Sequence, residues 1–170
     1  MEEAPGTVRR AVPEDAAALA DLAARTFRDT FAADNRPEDV AEHLARSYSP
    51  ALQLAEITSP DIVTFVADRD GLAGFAQLRR GTPPACVTAN EPVELWRFYV
   101  DSAWHGRGIA RQLMQAVLAS GAGAIWLGVW ERNSRAIAFY GKFGFADVGA
   151  HEFRLGADVQ TDRVMVRRPS

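Results

Sequence analysis

Apolar residues recur along this chain of 170 residues with two distinct spacings. Leu19, Leu22 and Ala23 open a series in which apolar side chains return every three or four residues, which is the spacing of one helix face. Residues 62–67 and 124–130 instead form nearly unbroken apolar runs, as expected for strands covered on both sides of a sheet. The hydrophobic pattern therefore predicts a chain that combines helices and strands.

Turn and capping signals divide the chain further. Pro13 with two following acids predicts one helix start, a break at residues 35–39 opens a second helix, and Asp70-Gly71 predicts a hairpin turn. The predicted strands span 7–12, 61–67, 72–78, 93–100, 124–130 and a closing antiparallel pair at 143–154 and 161–167. The predicted helices span 13–31, 37–48, 50–58, about 107–120 and 133–142. This order predicts one mixed α/β domain over residues 1–170, with a central parallel strand pair and antiparallel flanks.

Composition narrows the function classes. Hydrophobic residues at 48% and charged residues at 24% are ordinary for a globular domain, and the net charge of −3 argues against a nucleic-acid binder. No apolar run approaches the ~20 residues that span a bilayer. Residues 1–5 are acidic and lack the apolar core of a signal peptide. Cys86 is the single cysteine, which excludes an internal disulfide and fits a cytoplasmic protein.

The segment from His105 to Arg111 follows an apolar strand and opens an amphipathic helix. Its small residues leave backbone N–H groups uncovered at a helix start, which favours phosphate binding. The alternative is a plain strand-to-helix turn that needs glycine for its dihedral angles. A Rossmann site would need a glycine or alanine at Arg111 and an acid near Gly128, and a P-loop would need Gly-Lys-Ser/Thr, so both are discounted.

A second segment, residues 133–145, places polar groups on a short helix. Asn133 stands where a side chain caps a helix, and Gly144 where a left-handed residue ends one. Ala136 and Tyr140 are four residues apart and share a face. The alternative for Tyr140 is a core tyrosine beside two phenylalanines. No spacing of His, Asp or Glu indicates a metal site. His43 is isolated, and His151 is predicted to be a surface loop histidine, with the alternative that it lines the substrate site.

Together these two segments resemble the GNAT superfamily of acetyl-CoA-dependent N-acetyltransferases. The first carries the family's Gln/Arg-x-x-Gly-x-Gly/Ala pattern at Gly108 and Ala110, with His105 in place of Gln/Arg. The second matches Asn-x-x-Ala-x-x-Phe-Tyr-x-Lys-x-Gly-Phe at Asn133, Ala136, Phe139, Tyr140, Lys142, Gly144 and Phe145. The resemblance implies a mixed α+β fold of one GNAT-like domain, with a sheet of about seven strands, a splayed parallel pair and flanking helices.

The resemblance also implies how acetyl-CoA binds. Backbone N–H groups of the 105–111 loop would cradle the pyrophosphate, with side-chain charge from Arg107 and Arg111. A bulge at residues 98–100 would splay the central strands and free backbone groups for the pantetheine arm. The expected cofactor residues are Phe98, Val100, His105, Gly106, Arg107, Gly108, Ile109, Ala110, Arg111, Asn133 and Tyr140.

Two residues are candidates for proton transfer. In the family, the tyrosine at the position of Tyr140 protonates the departing thiolate, which suits a phenol with a pKa near ~10. Glu94 is a carboxylate among apolar neighbours, and strand alternation places it on one face with Phe98 and Val100. Its position resembles that of the glutamate base in some family members; the alternative is an edge glutamate that faces solvent.

Residues 26–39, 125–133 and 153–162 resemble the bacterial spermidine/spermine acetyltransferases. This favours a primary amine as partner, with polyamines or diamines first. Acids are expected near the mouth of the site: Asp29, Asp34, Glu91 and Glu94. The alternatives are acetylation of a peptide N-terminus or lysine, and a regulatory domain that binds acyl-CoA without turnover. Homodimers are common in the family, which makes a homodimer a candidate state, although the sequence shows no interface.

Overall fold

Seven strands form one mixed sheet in the computed structural model, which describes residues 7–169. The prediction that residues 1–5 do not form a signal peptide concerns residues that lie outside this range. Only the neighbours β4 and β5 run parallel, which confirms the predicted fold. The strands, in the sheet order β1-β2-β3-β4-β5-β7-β6, are β1 (Thr7–Arg10), β2 (Ile62–Asp68), β3 (Leu72–Arg79), β4 (Val93–Val100), β5 (Ile125–Trp130), β6 (Ala146–Leu155) and β7 (Asp158–Arg167).

Five α-helices lie in the described part of the chain, and local signals set their ends. Proline occupies the first turn of the second and third helices, where its missing N–H costs nothing. The Ser49 side chain accepts a hydrogen bond from Leu52 N and so caps the third. The helices are α1 (Ala16–Phe31), α2 (Pro37–Ser47), α3 (Pro50–Thr58), α4 (Ile109–Leu118) and α5 (Ser134–Lys142).

The sheet separates two apolar layers. On one face, α4 packs Leu113 and Met114 against Leu95 and Leu127, and this cluster continues to Tyr140 of α5. On the other face, clusters built on α1 cover the same strands, with these buried members: Leu19, Leu22, Ala23, Phe27, Phe31, Val66, Phe75, Trp130 and Leu155. The central strands are therefore covered on both sides, as the unbroken apolar run of β5 predicted.

The parallel pair β4 and β5 separates soon after it begins. The two strands are in register only at Val93–Ile125 and Glu94–Trp126. After these two pairs, the remaining residues of β4 do not pair with β5. This confirms the predicted splay of the two strands. The opening leaves backbone groups of β4 unpaired in the middle of the sheet, and a cleft lies there.

The bulge in β4 is not where the sequence predicted it. Gln77 of β3 pairs with Arg97, whereas the next residue, Leu78, pairs with Leu95. Trp96 is therefore the extra residue of a β-bulge, two positions before the expected segment 98–100. The bulge is stabilised by a cation–π contact, because the Arg97 guanidinium carbon lies 3.6 Å from the centre of the Trp96 ring.

The bulge also changes which face Glu94 occupies. Arg79 and Gln77 lie two residues apart on β3 and thus share a face, and their partners across β4 are Glu94 and Arg97. Glu94 consequently shares the face of Arg97. The expectation that it shares a face with Phe98 is wrong, because simple alternation does not survive an inserted residue.

Candidate active site

A cleft of about 890 Å³ runs through the sheet where β4 and β5 diverge. One end is formed by the loop before α4 and by the start of α5. The other end is formed by α1, α2, β6 and β7. A cavity of this size suits a small organic ligand, and the layers on the two faces of the sheet give it two chemically different ends.

The loop before α4 presents unpaired backbone donors. Gly106 and Gly108 have left-handed backbones, with φ of 78° and 82°, and no Cβ at either position would meet a neighbour. The first helical hydrogen bond runs from Gln112 N to Gly108 O at 3.1 Å. The N–H groups of Gly106, Gly108, Ile109 and Ala110, all lining the cleft, donate to no carbonyl among residues 7–169. These donors at a helix start suit a pyrophosphate.

The side chains of this loop are less available than expected. His105 Nε2 lies 3.1 Å from Val100 O, so this nitrogen is occupied by the end of β4. Arg107 stacks on Trp104, with its guanidinium carbon 5.1 Å from the centre of the ring. Neither Arg107 nor Arg111 is among the residues that line the cleft. Arg132 and Arg135, at the start of α5, do line it and were not predicted. They supply the positive charge at this end of the cleft.

Asn133 links the cleft to α5. Its Oδ1 accepts a hydrogen bond from Ala136 N at 3.2 Å, which confirms the predicted cap, and the residue also lines the cleft. Asn133→Ala is expected to lower the free energy of unfolding by about 1 kcal/mol, because a helix donor loses its partner. Urea denaturation measures this, with Asn133→Asp as the control that retains a capping oxygen. Equal losses in both variants would contradict a capping role.

Phe98 and Val100 line the cleft at the open end of β4. Their partners on β3 are Ala76 and Gly74, and the register with β5 has already ended, so one edge of the β4 backbone faces the cleft. The Phe98 ring lies 6.0 Å from the ring of Tyr140. The end of β4 therefore presents both unpaired backbone groups and an apolar wall to the cleft, and its contact with the pantetheine arm stays a prediction.

Tyr140 of α5 is a buried tyrosine that lines the cleft. It is only 8% exposed and packs against Phe98, Phe139 and Phe145 with ring centres 5.6–6.0 Å apart. Its hydroxyl has no hydrogen-bond partner among residues 7–169, yet it is absent from the fully enclosed polar atoms and Tyr140 lines the cleft. Burial raises the pKa of Tyr140, so the phenol keeps its proton at neutral pH. A protonated hydroxyl that faces the cleft is suited to act as an acid.

Glu94 lines the end of the cleft that α1 covers, with its side chain 12% exposed. The alternative of a glutamate facing solvent is therefore wrong. Its Oε1 accepts a hydrogen bond from Arg79 Nε at 2.5 Å, and Arg79 stacks on Trp96. The carboxylate already has a cationic partner, and its role as a base stays a prediction.

Two residues that the sequence did not assign also line this end. His151 lies on β6, not in a surface loop, and its cross-strand partner on β7 is Asp162. Burial and Glu131 raise the pKa of Asp162 to about 6. The signal was present in the alternation of β7, because Asp162 shares the inward face of Val164 and Val166, where an acid is unusual.

Acidic side chains also surround the mouth. Asp29 of α1 and Asp34 just after it line the cleft and are exposed, and neither is ion-paired with a cation among residues 7–169. Glu91, expected in the same set, does not line the cleft. In the same range no group of three or more His, Cys, Asp or Glu could hold a metal ion. Nor does any helix there combine the length and apolarity needed to cross a membrane.

Comparison with known proteins agrees with this geometry. Residues 18–145 match the model of the acetyltransferase (GNAT) family. An uncharacterized N-acetyltransferase of Mycobacterium tuberculosis is 39% identical over 158 residues, which cover 90% of this chain and 97% of the relative. The solved structure of PaiA N-acetyltransferase from Thermoplasma acidophilum in complex with coenzyme A has the same fold, with a TM-score of 0.75 and 24% identity, covering 95% of this chain and 98% of that one.

Two relatives carry names that state a substrate. The N-alpha-acetyltransferase RimI of M. tuberculosis is 35% identical over 124 residues, 68% of this chain and 74% of the relative. The spermine/spermidine N(1)-acetyltransferase of Bacillus subtilis is 29% identical over 103 residues, 56% of this chain and 62% of the relative. The family match covers most of the chain and includes the 105–111 loop and α5. The chain therefore belongs to the acetyltransferase (GNAT) family and is, as its sequence predicted, an N-acetyltransferase that uses acetyl-CoA.

Proposed function

We propose that this enzyme transfers the acetyl group of acetyl-CoA to the primary amine of a small molecule, with polyamines and diamines as the first candidates. One observation carries the proposal. A single cleft joins the unpaired N–H groups before α4, the hydroxyl of Tyr140 and a mouth lined by Asp29 and Asp34. The N–H groups before α4 suit the phosphates of a nucleotide cofactor, and the acidic mouth suits a cation.

The residues of the cleft account for a direct transfer. The loop N–H groups hold the phosphates, and Phe98 and Val100 guide the extended arm along the open edge of β4. The amine nitrogen, once unprotonated, bonds to the thioester carbon, and the carbon–sulfur bond then breaks. Tyr140 gives its proton to the departing thiolate and regains one from the nitrogen as the amide forms. Holding the two reactants together supplies much of the rate.

The mouth supports a substrate with more than one positive charge. Asp29 and Asp34 are exposed carboxylates without cationic partners among the described residues. A diamine or polyamine presents a second ammonium group some distance from the reacting nitrogen, and such a group would lie near these acids. The spermine/spermidine acetyltransferase of B. subtilis supports the same substrate class by similarity.

A peptide N-terminus is the second candidate. The observation that favours it is the relative named N-alpha-acetyltransferase RimI, which matches more of this chain at higher identity than the polyamine enzyme does. The two substrates differ in what lies beside the amine. A peptide carries an apolar or polar backbone there, whereas a polyamine carries further charge.

Thiol release from acetyl-CoA tests the proposal directly. Spermidine, spermine, putrescine and cadaverine are compared with a peptide that has a free N-terminus and with a lysine peptide. Faster turnover of the polyamines supports the proposal, and faster turnover of a peptide favours the second candidate. Coenzyme A binding without release of thiol from any of these amines would instead indicate the regulatory domain.

The two mouth acids offer a matched test of substrate charge. The double variant Asp29→Asn, Asp34→Asn is expected to raise KM for spermidine about fivefold and to leave kcat unchanged. This follows because each exposed charge pair between an acid and the substrate contributes about 0.5 kcal/mol to binding. Added salt is expected to reduce the difference. Asp21→Asn on the same helix is the control, because Asp21 pairs with Arg25 and does not line the cleft. An unchanged KM in the double variant would contradict a role for the mouth acids.

A further inference from the structure

Two unpaired polar atoms lie side by side at the end of the cleft that α1 covers. His151 on β6 and Asp162 on β7 are cross-strand partners. His151 Nε2 and Asp162 Oδ1 are both enclosed and have no hydrogen-bond partner among residues 7–169. The distance from His151 Nε2 to Asp162 Oδ2 is 3.7 Å, too long for a hydrogen bond. Buried groups without partners are rare in folded proteins, and here two occur in one wall of a substrate cleft.

Gly128 makes room for this pair. It lies inside β5, where glycine weakens a strand, and its φ is outside the left-handed region, so its dihedral angles do not require glycine. A Cβ at this position would lie 2.7 Å from His151 Nε2 and 3.1 Å from Asp162 Oδ2. The missing side chain therefore lets the imidazole and the carboxylate approach the backbone of the central strand.

The charged and titratable groups around Asp162 come from several elements. His151 faces it from β6, Glu131 from the turn after β5, and Tyr99 from β4. Burial raises the pKa of Tyr99 well above its usual value, and the nearby Asp162 carboxylate adds to this shift. Burial, followed by Glu131, places the pKa of Asp162 at about 6.

We infer that Asp162, assisted by His151, is the group that takes the proton from the substrate ammonium before the amine attacks the thioester. This inference rests on the proposed function. The ammonium N–H bond breaks, its proton passes to an oxygen of Asp162 directly or through one water, and the nitrogen keeps the electron pair that forms the new C–N bond. His151 orients the ammonium, and Asp162 releases the proton to solvent after each turnover. Tyr140 protonates the thiolate from the opposite layer.

Glu94 is less suited to this role than Asp162. Its Oε1 is held by Arg79 at 2.5 Å, whereas the partner nearest Asp162 is an imidazole 3.7 Å away. A carboxylate that titrates near neutral pH also combines a populated basic form with real proton affinity, which is the condition for an effective base. The two carboxylates therefore have different roles, with Glu94 fixed in an ion pair and Asp162 free to accept a proton.

Asp162→Asn tests the inference through its pH dependence. With spermidine at pH 7, kcat/KM is expected to fall about 100-fold, as for loss of a general base. In the wild type, kcat/KM is expected to rise through about pH 6 and then level off. In the variant it is expected to rise tenfold with each pH unit, because only the free amine then reacts. With 2,2,2-trifluoroethylamine, which is mostly unprotonated at pH 7, the two enzymes are expected to differ by about threefold or less.

Control variants separate this effect from a loss of structure. Asp162→Glu is expected to restore part of the rate and the wild-type pH profile, and His151→Gln to raise KM more than it lowers kcat. Asp147→Asn on β6 is the matched control, because Asp147 pairs with Arg163 away from the cleft. A wild-type enzyme that acetylates spermidine, with a variant whose pH profile is unchanged, would overturn this inference alone. Wild-type protein that acetylates neither spermidine nor any other amine of the panel would overturn the proposed function and this inference together.

Discussion

Replacing Tyr140 with phenylalanine is expected to lower kcat about 1000-fold and to change Kd for coenzyme A by about twofold or less. The substitution removes one oxygen and keeps the ring, which packs against Phe98, Phe139 and Phe145. The hydroxyl has no hydrogen-bond partner among residues 7–169, so its loss leaves no described donor or acceptor unsatisfied. What the variant lacks is the proton that the thiolate needs as the carbon–sulfur bond breaks.

The measurements are steady-state kinetics and calorimetric titration with coenzyme A, on protein whose thermal midpoint is compared with the wild type. Tyr48→Phe is the matched control, because Tyr48 is a half-buried tyrosine that lines the same cleft but packs beside Arg97 at the end of α2. It is expected to retain kcat within about threefold. Weakened coenzyme A binding with an unchanged kcat would show that Tyr140 is a structural residue.

Local signals in the sequence were sufficient for most of the fold. The strand at 93–100 and the helix at 50–58 have the predicted bounds, because a proline lies just before the first residue of the strand and at the first residue of the helix. The cap at Asn133 and the left-handed Gly144 were likewise predictable, since each depends on residues within one helical turn. The end of the cleft proposed to bind the cofactor is built mostly from such local segments.

The end proposed to bind the substrate depends on contacts between distant parts of the chain. The bulge at Trp96 follows from the register with β3, and it moved Glu94 to the other face of the sheet. His151 and Asp162 meet only because β6 pairs with β7. Side-chain directions were equally inaccessible, since Arg107 stacks on Trp104 whereas Arg132 and Arg135, just before and within α5, line the cleft. Alternation within β7 marks Asp162 as an inward-facing acid, but it does not show which residues of other strands lie beside it.

Asp162→Asn is expected to stabilise the protein at high pH and to leave its stability unchanged at low pH. Burial raises the pKa of Asp162 from 3.8 to about 6 in the folded chain. Between these values the folded chain keeps a proton that the unfolded chain has lost, so the free energy of unfolding decreases as pH rises. The decrease is nearly complete above about pH 7 and amounts to about 3 kcal/mol, because each tenfold change in the acid dissociation constant corresponds to about 1.4 kcal/mol.

The Asp162→Asn variant has no ionisable group at position 162, so its free energy of unfolding does not decrease in this way. Urea denaturation at pH 5, 6, 7 and 8 is expected to give this variant a higher free energy of unfolding than the wild type. The difference grows with pH and levels off above about pH 7, at about 3 kcal/mol or less. Asp147→Asn is expected to show the opposite sign, because its ion pair with Arg163 lowers the pKa of Asp147 and stabilises the folded chain once the carboxyl is ionised.

If Asp162→Asn raised the free energy of unfolding equally at every pH, or lowered it, this prediction would be contradicted. The ionised Asp162 carboxylate would then not destabilise the folded chain. The expected combination, a more stable and less active variant, is typical of a residue retained for chemistry at the expense of stability. Leaving Asp162 Oδ1 and His151 Nε2 without partners is unfavourable for the folded chain alone. The cost becomes intelligible when an ammonium group enters the cleft, because it brings the donors and the positive charge that this wall lacks.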